Sequence, residues 1–260
     1  MLKEFHQHPR VTVCCQVIPI LLRVYFDTVL ECGETSLLSE LVPVLIERAG
    51  LLYGTTLYHQ DVRRIFVEGL LNIFKAHPNI LIDQQADILE FISTLRNASD
   101  KEDFFIHILW VIGEYLSPMY DTRCLPEVIS SFYSALECIA YELSSSLPTQ
   151  YSTMPHSCRL VTVMITAMSK LASRSQDLIP RVLLCLTKLE QQVCLHVPAD
   201  HASVLHARTT ELVNLLKVPN VASALLSPDA DIDSGKLHKD SMSTPVLLHF
   251  IHDVLNSQQL

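Results

Sequence analysis

Apolar residues recur along the chain at spacings of three, four and seven positions, which is the period of an α-helix that buries one face. In the segment 59–76, for example, Ile65, Phe66, Leu70 and Ile73 fall on one side. The alternation of apolar and polar residues that marks a half-buried strand does not appear. The pattern predicts helices near 10–31, 35–49, 59–76, 83–97, 101–117, 125–146, 158–173, 177–195, 201–217 and 220–226.

Prolines divide the predicted helices. Pro19 interrupts the first apolar run and is expected to break or kink that helix, because proline lacks the backbone N–H and clashes with the preceding turn. Pro78, Pro118 and Pro219 are expected to end helices, whereas Pro126 lies in a first turn, where no hydrogen bond is lost.

Acidic residues mark several predicted helix starts. Asp177 and Asp200 each precede an apolar-periodic segment, and a carboxylate there accepts the unpaired N–H groups of the first turn. Asp61 with Arg63, and Asp177 with Arg181, resemble the start of the second helix in HEAT-type repeats, where the arginine pairs with the capping acid.

Many amphipathic helices joined by short turns bury their apolar faces by pairing antiparallel and stacking on one another. The sequence therefore predicts an all-α fold, an α-solenoid of the HEAT or armadillo kind, over residues 1–226. No fixed repeat length can be aligned, so an irregular helical bundle stays open as the alternative. Residues 227–244 are polar and predict a disordered linker, and residues 245–260 predict a short C-terminal helix or tail.

The charge balance disfavours polyanions as ligands. The chain carries a formal net charge of −9, and binding to nucleic acid or anionic lipid needs a basic surface. Lys170, Arg174, Arg181 and Lys188 would align on one continuous helix, but Pro180 indicates that a new helix begins there. A basic patch for lipid or an acidic partner at these residues stays a minor alternative.

The cysteines are predicted to be reduced thiols packed in the core of a cytosolic protein, since no pair shows C-x-x-C spacing and most fall in apolar helical segments. The eight cysteines are at positions 14, 15, 32, 124, 138, 158, 185 and 194.

The histidines do not predict a metal site. His6 and His8 lie near the N-terminus and are expected at the surface. His196, His201 and His206 recur every five residues, which rotates successive side chains away from one another on a helix. We therefore expect no metal and no cofactor.

Catalytic patterns are also absent from the sequence. It contains neither G-x-S-x-G nor G-x-x-x-x-G-K-[ST], so a nucleotide-binding loop is not predicted. Cys14 and Cys15 lie in an apolar helix and are expected to pack. Glu114 is a conceivable general acid, but neighbouring Gly113 suggests instead a helix that approaches another closely. We expect no catalytic residues and no enzymatic activity.

Three strings carry a resemblance to a known family. Residues 109–116 read LWVIGEYL and are followed by YDTRC at 120–124, which resembles the trunk of large adaptin subunits. Residues 170–181, KLASRSQDLIPR, and residues 211–222, ELVNLLKVPNVA, resemble the zeta subunits of the fifth adaptor protein complex. The similarity covers about residues 10–255 and corresponds to the C-terminal portion of that family, so we expect a fragment or a short isoform.

The resemblance implies a non-enzymatic subunit of a heterotetrameric adaptor that sorts vesicle cargo. Its partners would be the beta, mu and sigma subunits, together with spatacsin and spastizin. The protein would be cytoplasmic and peripheral on late endosomes and lysosomes, contacting the membrane indirectly and binding no nucleic acid.

Two rival functions remain open at the sequence level. The first is a nuclear factor in DNA double-strand-break repair, associated with helicase activity, although the acidic charge and the missing nucleotide loop weigh against intrinsic turnover. The second is a generic HEAT-type scaffold of another pathway.

Overall fold

The structure is a computed structural model that describes residues 11–53, 60–93, 102–145, 158–194 and 199–226. Helices account for nearly all of this described part, and no strand occurs in it. The helices are α1 (Val11–Cys32), α2 (Thr35–Tyr53), α3 (Gln60–Ala76), α4 (Ile80–Asp83), α5 (Gln85–Ser93), α6 (Glu102–Tyr115), α7 (Pro126–Ser145), α8 (Cys158–Arg174), α9 (Ile179–Cys194), α10 (Ala199–Leu216) and α11 (Pro219–Leu225).

The helices pack in two rows. In the first row α1 contacts α3, α3 contacts α6, and α6 contacts α8 most extensively. In the second row α2 contacts α5, α5 contacts α7, and α7 contacts α9. Helices α2 and α3, α7 and α8, and α8 and α9 join the rows, and α10 packs on both α8 and α9. Each helix thus touches near neighbours in the chain, which is the arrangement of a helical solenoid and confirms the predicted fold class.

The connection between α1 and α2 is short and depends on a glycine. Helix α1 ends at Cys32 and α2 begins at Thr35, so only two residues connect them. Gly33 has φ = 63°, a left-handed conformation that glycine adopts without strain but that is strained for other residues.

Prolines inside α1 and α2 do not end these helices. Pro19 lies within α1 and Pro43 within α2, and both helices continue past them. Of the two outcomes predicted for Pro19, a break or a kink, the break is therefore wrong. Ile18 and Leu22 pack against the core on either side of Pro19, and this burial offsets the one backbone hydrogen bond that proline removes.

The predicted acidic cap before α9 is replaced by another arrangement. Asp177 lies inside a 3₁₀ turn, Gln176–Leu178, and α9 begins after it at Ile179. Arg181 does not pair with Asp177 as predicted, since its guanidinium forms an ion pair with Glu137 of α7. Asp200 likewise falls in the first turn of α10, which begins one residue earlier, and not before it.

Helix α8 lies at the centre of the stack. Every residue from Leu160 to Ser173 is buried, because α6, α7, α9, α10 and α11 all pack around it. The hydroxyl groups of Thr162, Thr166 and Ser169 each donate to the carbonyl four residues earlier, at 2.8 Å. Polar side chains therefore enter this core with their hydrogen bonds made inside their own helix.

Candidate functional site: a buried polar junction and an exposed apolar face

Helices α6 and α8 approach closely at a glycine. A Cβ atom on Gly113 would lie 2.9 Å from the Cα atom and 3.0 Å from the Cβ atom of Ala167. Real Cβ atoms do not come so near to a neighbouring backbone, so only glycine fits at this position without moving α8. The close approach predicted for Gly113 is found at this contact.

Beside this contact, a buried ion pair joins the same two helices. The Lys170 ammonium group on α8 donates a hydrogen bond to the Glu114 carboxylate on α6, and the lysine side chain is 2% exposed. Burial lowers the pKa of Lys170, and the neighbouring Glu114 opposes that change. Glu114 is therefore the partner of a buried cation at the contact between α6 and α8.

Arg174 binds the end of α6. Its Nη1 atom donates to the carbonyl of Leu116 at 2.6 Å, and its Nη2 atom donates to those of Gly113 at 2.7 Å and Glu114 at 3.3 Å. The last carbonyls of a helix have no partner within the helix, and a guanidinium satisfies them while complementing the helix dipole. Burial lowers the pKa of Arg174 to about 10.

These contacts remove the basic patch considered from the sequence. Lys170 and Arg174 face inward on α8, against α6. Arg181 lies on α9, pairs with Glu137 and sits 5.0 Å from the centre of the Tyr133 ring. Three of the four cations therefore belong to contacts within the protein, so the four do not form a common surface for lipid.

A third set of polar contacts ties α10 and α11 to α8. Arg208 is buried, pairs with Glu211 one turn later, and donates from Nε to the Thr166 hydroxyl at 3.3 Å. The Ser223 hydroxyl on α11 donates to the carbonyl of Ser173 at 2.9 Å. The strings at 109–116, 170–181 and 211–222, which carried the family resemblance, thus meet around α8. We call these contacts, from α6 through α8 to α10 and α11, the polar junction.

The cysteines are less buried than the sequence suggested. The six whose side chains are described are all free thiols, and Cys124 is fully buried while Cys32 and Cys138 are exposed. Burial raises the pKa of the Cys124 and Cys185 thiols to about 11. Cys14 and Cys15 lie in α1, and their side chains are outside the described residues.

Two of the described histidines, His201 and His206, take part in contacts between helices. His206 pairs through Nδ1 with Glu190 of α9. The carbonyl of His201 accepts a hydrogen bond from the Cys158 thiol at 3.5 Å. His6, His8 and His196 lie outside the described residues, and so do the predicted segments 227–244 and 245–260. Within the described ranges, no group of three or more potential metal ligands comes together.

One face of α1 exposes apolar side chains, although the sequence pattern did not predict an exposed apolar face there. Five apolar side chains, which we call the α1 stripe, are between 43% and 65% exposed: Val17, Ile20, Leu21, Val24 and Tyr25. The opposite side of α1 carries Phe26 and Val29, which are buried against the core. A helix that is apolar on both sides is typical of a protein interior, yet α1 is covered on one side.

A groove between α1 and α3 borders the α1 stripe. A cavity of about 380 Å³ is lined by Pro19, Ile20, Arg23, Val24, Asp27, Arg64 and Ile65. A second, of about 270 Å³, shares Arg23, Asp27 and Ile65 and continues toward Asn72. The face therefore combines an apolar ridge with a groove whose wall carries both charge signs, which suits another protein surface better than a small anion.

The length and apolar character of the described helices bear on whether any of them could cross a membrane. None of them combines the length and the apolar character that crossing a bilayer requires.

Comparisons with known proteins agree with the resemblance drawn from the three strings. A family model described as AP-5 complex subunit zeta-1, C-terminal TPR repeats, matches residues 1–254. The chain is 34% identical over 241 residues to the human AP-5 complex subunit zeta-1, covering 89% of the chain and 29% of that relative. It is 32% identical over 268 residues to the mouse protein, covering 99% of the chain and 33% of that relative.

The chain thus spans about a third of the length of these relatives. The family model names its helical repeats TPR, where the sequence suggested HEAT or armadillo repeats; each is a stack of helical pairs. No solved structure matches the chain at a significant level.

Proposed function

The chain belongs to the family of the AP-5 complex subunit zeta-1, within its C-terminal repeats, and on that premise we propose that it is a non-enzymatic scaffold subunit of an adaptor complex. The observation that carries the proposal is the family match together with the α1 stripe, a face on which five exposed apolar side chains lie together. Exposed apolar surface of this extent marks a binding site for another protein.

The occupant that best fits the α1 stripe is a further helix of a longer adaptin-like trunk. Along the first row, α3 and α6 each have a helix on both sides, whereas α1, the first helix described, has α3 alone as a row neighbour. Val17, Ile20, Leu21 and Val24 follow the spacing of i, i+3, i+4 and i+7, which is the pattern of a helix–helix contact. The relatives carry about two thirds of their length outside the matched region, and in this proposal a helix of that portion covers the α1 stripe.

In this proposal the chain acts with the beta, mu and sigma subunits of the complex, and with spatacsin and spastizin, in protein sorting at late endosomes and lysosomes. It is cytoplasmic and reaches the membrane through its partners. Two features support indirect contact: the net charge of −9, and the engagement of Lys170, Arg174 and Arg181 in contacts within the protein.

Complex membership is tested by recovering the tagged chain from cells that also express the beta, mu and sigma subunits. We expect those three subunits to copurify with it in stoichiometric amounts. Recovery of the folded chain without them would contradict the proposal. ATP hydrolysis measured with DNA present tests the DNA-repair rival, and sustained turnover would overturn the scaffold function.

The role of the α1 stripe is tested separately with two matched variants. Val24 and Val204 are 57% and 60% exposed, but Val24 lies in the stripe while Val204 lies on α10. Each variant is expressed together with the part of the human relative that lies outside the matched region. We expect Val24→Asp to weaken association at least tenfold, because a carboxylate would be desolvated at the contact, and Val204→Asp to leave it unchanged. Equal association of both variants would contradict the assignment.

A further inference from the structure

Two half-buried cysteines lie at the same end of the helical hairpin that α8 and α9 form. Cys158 is the first residue of α8, and Cys194 is the last residue of α9. The two helices have 17 and 16 residues, pack on each other, and are joined only by residues 175–178. Helices joined by so short a connection run antiparallel, so the start of α8 lies beside the end of α9.

Both thiols contact the first turn of α10. The Cys158 thiol donates to the carbonyl of His201 at 3.5 Å, and the Cys194 thiol contacts the carbonyl of Ala202 at 3.8 Å. Carbonyl oxygens of consecutive helical residues are about 3.4 Å apart, so the two sulfur atoms meet at one place on α10. Burial raises the pKa of the Cys158 thiol, and the neighbouring Cys194 raises it further, which is a direct interaction between the two thiols.

We propose that Cys158 and Cys194 form a redox site, in which hydrogen peroxide oxidises the two thiols to a disulfide within the chain. One thiolate attacks the O–O bond of the peroxide, which breaks, and a sulfenic acid forms as one water leaves. The neighbouring thiolate then attacks the sulfur of the sulfenic acid, its S–O bond breaks, and a second water leaves. Two thiols and one peroxide thus give one disulfide and two waters, and two electrons pass from the sulfur atoms to the peroxide.

Proximity, and not thiol acidity, gives this pair its selectivity. Burial raises the pKa of both Cys158 and Cys194, so little thiolate is present at neutral pH and the first step is slow. The second step is favoured, because the partner thiol is held in the same protein at a high effective concentration. A sulfenic acid at this site is therefore expected to be converted to the disulfide before a second peroxide reaches it.

The disulfide would change the connection between three helices. It would cross-link the α8–α9 hairpin at the end opposite its turn, and closing this loop restricts the unfolded chain. It would also remove both thiol hydrogens, so the carbonyls of His201 and Ala202 would lose these weak donors. We therefore expect the oxidised hairpin to resist unfolding more than the reduced one.

The site is tested on the full chain by treating the folded, reduced protein with hydrogen peroxide. The remaining thiols are then alkylated, and unreduced peptides are analysed by mass spectrometry. We expect the disulfide between Cys158 and Cys194 to exceed any other disulfide about tenfold, because only adjacent thiols have the high effective concentration. The midpoint of urea unfolding should rise on oxidation and return to its original value with dithiothreitol.

Two serine variants provide the controls. Cys158→Ser leaves Cys194 without its thiol partner, so we expect no rise in the urea midpoint and a sulfenic acid at Cys194 that dimedone traps. Cys32→Ser removes an exposed thiol on α1 and should change neither the cross-link nor the rise in the midpoint. Circular dichroism reports whether each variant is folded, and Cys194→Ser tests the same pair from the other side.

Two results would overturn the proposal. One is a folded chain in which peroxide oxidises single cysteines or links separate chains but gives no disulfide between Cys158 and Cys194. The other is a cross-link that forms only in urea, because the unfolded chain and not the α8–α9 hairpin would then bring the thiols together. A rise in the urea midpoint that persists in Cys158→Ser would contradict the assigned pair as well.

Discussion

At the scale of single residues, the least expected feature is a charged pair in the centre of a helical core. Lys170 is almost completely buried, and burying a charge is costly unless it is paired and hydrogen-bonded. Glu114 meets that need across the α6–α8 contact, and nearby Arg174 satisfies the carbonyls at the end of α6. The pair fixes how the two helices are aligned, since a slip by one residue would separate the two charges.

Removing one member of this pair is expected to be far more harmful than removing both. Glu114→Ala leaves the Lys170 ammonium buried and unpaired, and we expect it to lower the free energy of unfolding by about 3–5 kcal/mol. The double variant with leucine at 114 and methionine at 170 should recover most of this loss, because apolar side chains of similar volume fill the site. Urea unfolding followed by circular dichroism measures both. Wild-type stability in Glu114→Ala would contradict the assigned pairing.

The thiols should react in the order of their environments. Cys32 and Cys138 are exposed, whereas burial raises the pKa of Cys124 and Cys185 to about 11. At pH 8 roughly one in a thousand of these two groups is the reactive thiolate. We expect alkylation to modify Cys32 and Cys138 first, and Cys124 and Cys185 last, by peptide mass spectrometry. The difference should vanish in urea; its absence in the folded protein would contradict the described burial.

The sequence predicted some of these residues well and others not at all. Gly113 was expected at a close helix contact because a lone glycine in a helix is otherwise unfavourable, and it lies at such a contact. The partner of Arg181 was predicted wrongly. Glu137 is 44 residues away, and no local pattern indicates which distant acid a cation will meet once the helices pack.

At the scale of helices, apolar periodicity predicted nearly all the described elements, because each helix must bury one face. The residues at which the helices begin and end were less predictable. The segment predicted as one helix at 83–97 has α4 before it and α5 from Gln85 to Ser93, and residues 94–97 lie outside the described residues. Pro19 was expected to interrupt α1, yet tertiary packing on both sides of it overrides the local preference.

The contact between α6 and α8 leads to a prediction about helix spacing. Gly113→Ala places a methyl group 2.9 Å from the backbone of Ala167, so one helix must move. We expect a loss of about 1–3 kcal/mol in the free energy of unfolding, despite the higher helix propensity of alanine. Gly69→Ala is the comparison, because its methyl group would clash with the Cγ atom of Phe26, whose ring is buried between α1 and α3.

Gly69→Ala should therefore also be destabilising in the same unfolding measurement, because the buried Phe26 ring leaves no space for the methyl group. If the Gly113 variant is as stable as the wild type, α6 and α8 do not approach as closely as described.

At the scale of the whole molecule, the two ends of the stack differ in the apolar surface they expose. The α1 stripe has five side chains and adjoins a groove, whereas α11 exposes Val221 and Leu225, at 43% and 39%. The α1 stripe could not be predicted from the sequence, because the spacing of apolar residues does not show which of them pack against another helix. The sequence does show apolar residues on both sides of α1, five of them on one side, and this was the signal available.

Charging the α1 stripe is expected to help the isolated protein even though it harms association. Val24→Asp should reduce binding of the dye ANS and self-association of the purified chain, because it interrupts an exposed apolar surface. Its thermal unfolding midpoint should stay within about 2 °C of the wild type, since the side chain is exposed. A large fall in that midpoint would mean that Val24 supports the fold and is not a docking residue.

The exposed side of α1 also bears on how much of this protein a cell retains. Under the proposed function, newly made copies that are not yet bound expose the apolar α1 stripe, and chaperones and proteases act on exposed apolar surface. Copies whose α1 stripe is covered do not expose that apolar surface to chaperones and proteases. Under the proposed function, we therefore expect the steady-state abundance of the chain to fall when the protein that covers the α1 stripe is in short supply.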